Sequence, residues 1–162
     1  MHPDFRPIQV AVCGPRDCTE SEAADAREVG RRLALAGATV ICGGGTGVMA
    51  AAAAGARAAN GLVIGVRPGG SAADANPDLS AVIVTNLGEA RNAVIVWSAD
   101  AVIAIGGSWG TLSEIALAKR RGGIPVITLG GWTVLGADGR PLPDAPTPAV
   151  DAAQAVALAL RQ

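Results

Sequence analysis

A chain of 162 residues and 16.0 kDa has the length of one domain, so the sequence predicts a single domain over 1–162. Half the residues are apolar and 17% are charged, which excludes disorder, and a net charge of −1 lacks the basic field that nucleic acids or anionic membranes require. One histidine, His2, in a terminus expected to fray, excludes His-dependent triads and His-rich metal sites.

Alanine and glycine supply 34 and 22 residues, while the aromatics are only Phe5, Trp97, Trp109 and Trp132. The core must therefore be built from small aliphatics, which suits helices packed closely on a sheet. The first buried strand is predicted over 8–13, followed by the turn Gly14-Pro15-Arg16-Asp17. Thr19 and Glu22 have the spacing of a capping box. The helix they open shows Ala23, Ala26, Val29, Gly30 and Leu33 at helical spacing and stops at Gly37.

A second strand follows over 39–42, then the turn Gly43-Gly44-Gly45-Thr46-Gly47 and a helix of small residues to Ala59. A third strand over 62–66 leads into residues 67–80, rich in Gly, Pro, Asp and Asn and long enough for a functional lid. The fourth strand (81–85), a helix (88–98) and the fifth strand (101–105) come next. That strand ends at Gly106-Gly107-Ser108-Trp109-Gly110-Thr111, and another helix runs to about Arg121. A sixth strand (125–129), a Gly- and Pro-rich irregular stretch (130–148) and a helix (151–160) complete the chain. The alternation predicts an α/β fold, a Rossmann-like parallel sheet of about six or seven strands with helices on both faces.

Cys13, Cys18 and Cys42 contain no CxxC pair and no apparent fourth metal ligand; two strand-end thiols and one loop thiol are expected, with no metal site. With no signal peptide or membrane span in view, the composition points to a cytoplasmic protein.

Two glycine-rich turns at the carboxyl ends of strands suit an anion, because glycine lets the backbone approach and a helix N-terminus offers free N–H groups. The first lacks the lysine of a P-loop, and neither is a GxGxxG after the first strand. Glu114, three residues after Thr111, reads equally as the acid of a capping box or as a carboxylate beside a phosphate site that steadies an oxocarbenium-like centre. Arg91 on the preceding helix reads as a partner for a phosphate or for Glu114, or as a solvated helix arginine. The apolar run Val94-Ile95-Val96-Trp97 exceeds the needs of one buried face and predicts self-association.

Gly43-Gly44-Gly45-Thr46-Gly47-Val48-Met49 resembles the GGGxxGLMG motif of the LOG-like proteins, once misannotated as lysine decarboxylases. Gly107-Ser108-Trp109-Gly110-Thr111-Leu112-Ser113-Glu114 resembles their PGGxGTxxE motif, and Arg91 with its spacing to Asp100 resembles their arginine helix. The resemblance implies a homodimer or homotetramer that requires no cofactor and binds a phosphorylated small molecule. It implies Arg91 and Glu114 as catalytic pair, in members that release cytokinin bases from nucleoside 5′-monophosphates. Gly43, Gly44, Gly45, Thr46, Gly47, Gly107, Ser108, Gly110 and Thr111 would surround the ligand. The chain reads Ala90-Arg91-Asn92 where the hydrolases have Glu-Arg-Lys, Gly106 where they have proline, and Ser108 for the second glycine. Those changes resemble the neighbouring branch of short nucleotide-binding members and molybdenum-cofactor carriers. That branch implies the alternative, a carrier of nucleotide, phosphate or molybdopterin without catalysis. DprA, a DNA-processing protein of related fold, fits less well, because the chain is acidic and has one lysine.

Overall fold

The computed structural model describes residues 6–161, so the expectations for His2 and Phe5 lie outside the described residues. Seven strands form one wholly parallel sheet: β1 (Gln9–Cys13), β2 (Thr39–Cys42), β3 (Val63–Arg67), β4 (Ala81–Val84), β5 (Ala101–Ile105), β6 (Val126–Leu129) and β7 (Thr147–Pro148). Their order is β4-β3-β2-β1-β5-β6-β7. Five helices accompany them: α1 (Glu20–Leu35), α2 (Val48–Ala58), α3 (Arg91–Ser98), α4 (Trp109–Arg121) and α5 (Ala152–Ala159).

Alternation along each strand sends side chains to opposite faces. Val10 and Val12 of β1 therefore join the core under α1, α2 and α5, while Ala11 and Cys13 join the one under α3 and α4. Leu33, Ile103, Ile105 and Ile127 are fully buried; each contributes roughly 1.5–3 kcal/mol of apolar transfer. Small residues let the layers close. A side chain on Gly30 of α1 would overlap the carbonyl of Ala52, and one on Gly55 of α2 would overlap that of Arg27. The two helices therefore touch backbone to backbone.

The Thr19–Glu22 capping box is present in full, with Thr19 Oγ1 accepting from the Glu22 N–H at 3.1 Å. Two expectations need correction. The helix expected from Gly88 opens as a 3₁₀ turn, Gly88–Ala90, before α3 begins at Arg91, and Gly88 has φ 57°. The irregular stretch 130–148 ends in the edge strand β7, because Ile127 and Thr128 pair with Thr147 and Pro148. The apolar run of α3 is mostly consumed by the molecule's own core: Ile95 and Val96 are buried and only Trp97 is exposed, with the Arg121 guanidinium 4.9 Å from its ring centre. Cys13 and Cys42 end β1 and β2, and Cys18 lies in the loop between β1 and α1. No helix is long and apolar enough to cross a membrane, among the described residues.

Candidate functional site

From β1 the chain crosses to β2 on one side, and from β5 to β6 on the other, although β1 and β5 are neighbours. Two loops thus diverge at their carboxyl ends and leave a crevice, the usual ligand position in doubly wound sheets. Its enclosed part measures about 180 Å³ and is lined by Gly14, Pro15 and Arg16 after β1, Met49 of α2, Pro68 after β3, Gly88 to Asn92 in part, and Ser108, Gly110, Thr111 and Glu114.

The second glycine turn faces this space. Ser108, not Thr111, caps α4: its hydroxyl accepts from the Thr111 N–H at 3.1 Å and meets the Thr111 hydroxyl at 2.9 Å. The capping-box reading of Thr111 and Glu114 is therefore wrong by one turn position. Glu114 lies inside α4 and is one of the residues that line the crevice. Among the described residues the N–H groups of Gly107, Trp109 and Gly110 have no partner, so α4 presents open donors at the positive end of its dipole. Gly107 itself is covered by the Trp132 ring and does not line the space.

The first glycine turn sits one layer back. A side chain on Gly43 would strike the Arg91 guanidinium and Met49 sulfur, and one on Gly45 would reach the Met49 methyl at 3.0 Å. These glycines exist to let Arg91 and Met49 lie against the backbone. Gly43, Gly44, Gly45, Thr46 and Gly47 do not line the enclosed space. Their carbonyls are tied back: that of Gly43 accepts from Arg91 Nη1 (2.8 Å) and Arg67 Nη1 (3.2 Å), and that of Gly44 from the Asn76 N–H (2.9 Å). Asn76 pins the 68–80 loop to the turn. Among the described residues the N–H groups of Gly45, Thr46 and Gly47 are left without a partner.

Arg91 Nη1 also donates to the Val66 carbonyl at 2.6 Å, and its buried Nε–H has no partner. No ion pair within 4 Å joins Arg91 to Glu114; the charges sense one another only through space, among the described residues. Burial lowers the Arg91 pKa, opposed by Glu114 and assisted by the like charges of Arg67 and Arg16. Burial raises that of Glu114, opposed by a hydrogen bond with the Cys13 thiol and by Arg91. Burial and Glu114 hold the Cys13 thiol well above its ordinary value, and burial pushes Cys42 up to about 11.

Asn92, standing where the hydrolase motif has lysine, is buried. Its amide donates to Ser113 Oγ at 3.0 Å, which donates to the Gly110 carbonyl at 2.7 Å, locking the first turn of α4 to α3. Sequence reasoning missed Arg16, Met49 and Glu89 as lining residues; the turn after β1 carried the one available signal for Arg16, a Gly-Pro-Arg at a strand end.

Because the native Glu114 pKa is raised from 4.5, the folded state binds this proton more tightly than the unfolded chain. The stabilisation is full below pH 4.5 and is lost as pH rises through the raised value. Glu114→Gln removes that loss, so urea midpoints measured from pH 4 to 8 should fall less steeply above pH 4.5 than in the parent. Parallel profiles would contradict the raised carboxyl.

Fold and crevice together define a doubly wound α/β protein with its open end at the switch between β1 and β5. The model of the SLOG cluster4 family matches residues 7–150, and the chain belongs to that LOG-like family. It is 33% identical to the molybdenum cofactor binding protein of the phototrophic bacterium Rippkaea orientalis, with a TM-score of 0.85 and 96% of each chain covered. It is also 33% identical to the molybdenum cofactor carrier protein of Chlamydomonas reinhardtii, with a TM-score of 0.78 over 94% of this chain and 95% of that one. An uncharacterised protein of Archaeoglobus fulgidus is 41% identical over 116 residues, 71% of this chain and 76% of that protein. The expected resemblance to the carrier branch is thereby met.

Proposed function

We propose that this chain is a carrier that holds a phosphorylated heterocycle in the strand-end crevice, with the molybdenum cofactor as cargo, and does not cleave it. The observation that carries this reading is how Arg91 and Glu114 are engaged. Arg91 spends Nη1 on two main-chain carbonyls, and Glu114 faces a thiol rather than a paired acid or a free arginine. A glycosidic cleavage would need that carboxylate ionised and placed at the ribosyl centre; burial works against its ionisation. Binding needs only donors, and the Gly110 N–H and the Arg16 guanidinium, both on residues that line the crevice, supply them. The likeness to two molybdenum-cofactor proteins at 33% identity supports the same cargo.

An enclosed volume of about 180 Å³ is below the roughly 300–1,000 Å³ of whole-ligand pockets. The phosphate end therefore sits inside, and the ring system lies in the mouth beside Arg16, Pro68 and Glu89. Work in the cytoplasm, where three unpaired thiols persist, is part of the reading. So is self-association at the exposed Trp97, for which Trp97→Glu should give the mass of a single chain in light scattering.

The test has two arms. Protein isolated from cells that make the cofactor should retain pterin, read by its fluorescence, and Glu114→Gln should retain it as well. Incubation with AMP or isopentenyladenosine monophosphate should release no free base on chromatography. Base release abolished by Glu114→Gln would replace this reading with a phosphoribohydrolase, the activity that the motif resemblance implies.

A further inference from the structure

We propose that a second cavity, on the far side of α4 from the crevice, binds an apolar carboxylic acid whose carboxylate is held by Lys119 in place of Asp144. This space is about 620 Å³, within the roughly 300–1,000 Å³ of small-molecule sites. It lies between α4 and the 130–148 excursion, and its apolar wall includes Leu112, Ile115, Trp132, Val134 and Leu142. Trp132, Val134 and Leu142 are 46%, 44% and 42% exposed, so apolar surface stands open to water inside a concavity. Contiguous apolar surface of this kind marks binding sites.

One cation serves that wall. In a chain with twelve arginines, the only lysine is Lys119, whose side chain is 27% exposed. Its ammonium meets Asp144 at 3.1 Å, but Asp144 is 83% exposed and sits on a left-handed backbone, φ 57°. An ion pair so wet holds weakly and is exchangeable. An apolar body ending in one carboxylate matches both features: its chain covers the wall and its charge replaces that of Asp144. A basic ligand would meet Lys119, and a neutral one would leave the cation to Asp144. Gly110, Thr111 and Glu114 of α4 face the crevice whereas Leu112, Ile115 and Lys119 face this cavity, so the inference does not rest on the carrier reading.

The probe is decanoate below its micelle concentration, with decan-1-ol as the uncharged counterpart, titrated calorimetrically into the full chain. Decanoate should saturate one site. Lys119→Gln should weaken it about tenfold while leaving decan-1-ol unchanged, as loss of a charge-assisted contact requires. Ala116→Trp, on the cavity wall, should abolish both. The unmodified protein gives an independent readout: Lys119 is the only lysine, so decanoate should slow its acetylation several-fold by peptide mass. Absence of saturable binding, or binding unchanged by Lys119→Gln with Lys119 acetylation unchanged by decanoate, would overturn the proposal. So would failure of decanoate to bind together with a fall in assembly mass on Ala116→Trp, which would assign the cavity to a second copy of the chain.

Discussion

Gly55→Val is expected to cost about 3 kcal/mol or more, the upper range of overpacking. Gly55 is buried in the middle of α2, where glycine is worse than alanine by about 1 kcal/mol in helix propensity. That intrinsic gain is overwhelmed, because the first carbon added would overlap the Arg27 carbonyl of α1. The neighbour is backbone and cannot rotate away, so either α1 shifts or the helices separate and expose Val29, Leu33 and Ala52. At roughly 2–4 °C per kcal/mol for a chain of this size, the melting temperature should fall by about 6–12 °C. Ala58→Val, exposed on the same helix, is the control and should stay within about 0.5 kcal/mol. Equal melting of the two variants would mean that α1 and α2 do not meet at this crossing.

Arg91→Met should strike stability and binding together. Its guanidinium satisfies the carbonyls of Gly43 and Val66 where β2 and β3 end, and hydrogen bonds to charged donors are worth about 1.5–3 kcal/mol each. Arg67 still reaches the Gly43 carbonyl, so the expected loss is about 3 kcal/mol rather than the sum of both bonds. Met fills the volume of the stem, which keeps the comparison about polarity rather than cavity. Retention of pterin phosphate should fall by about tenfold or more, since the partly buried cation on the crevice wall is gone and Arg16, which is exposed, is left. Arg91→Lys restores charge but not the planar fork, and should recover affinity more than melting temperature. A variant that keeps both would place Arg91 outside the working site.

The sheet was legible because β-branched runs such as Thr39 to Cys42 and Ala101 to Ile105 are bounded on both sides by turn residues; observed and expected strands there coincide. The edge strand β7 was hidden, since two residues containing a proline carry no periodic signal and form a strand only by pairing with β6. Of the residues singled out from the motifs, Arg91, Glu114, Ser108, Gly110 and Thr111 line the crevice. The first glycine turn does not, because sequence shows that glycine permits close approach but not what approaches. Here the visitors are Met49 and the Arg91 guanidinium. Ser108 displaced Thr111 as helix cap for a local reason: its extended backbone, φ −160°, leaves its hydroxyl free to turn back onto the helix.

The two raised thiols under the crevice have a consequence for oxidants. Thiolate, not thiol, is the form that attacks peroxide. Cys13, held protonated by burial beside Glu114, and Cys42, pushed up to about 11, offer almost none at neutral pH. Neither thiol lines the crevice itself, so the sulfur packed beside Glu114 and Gly44 is kept from oxidants by burial as well as by its proton.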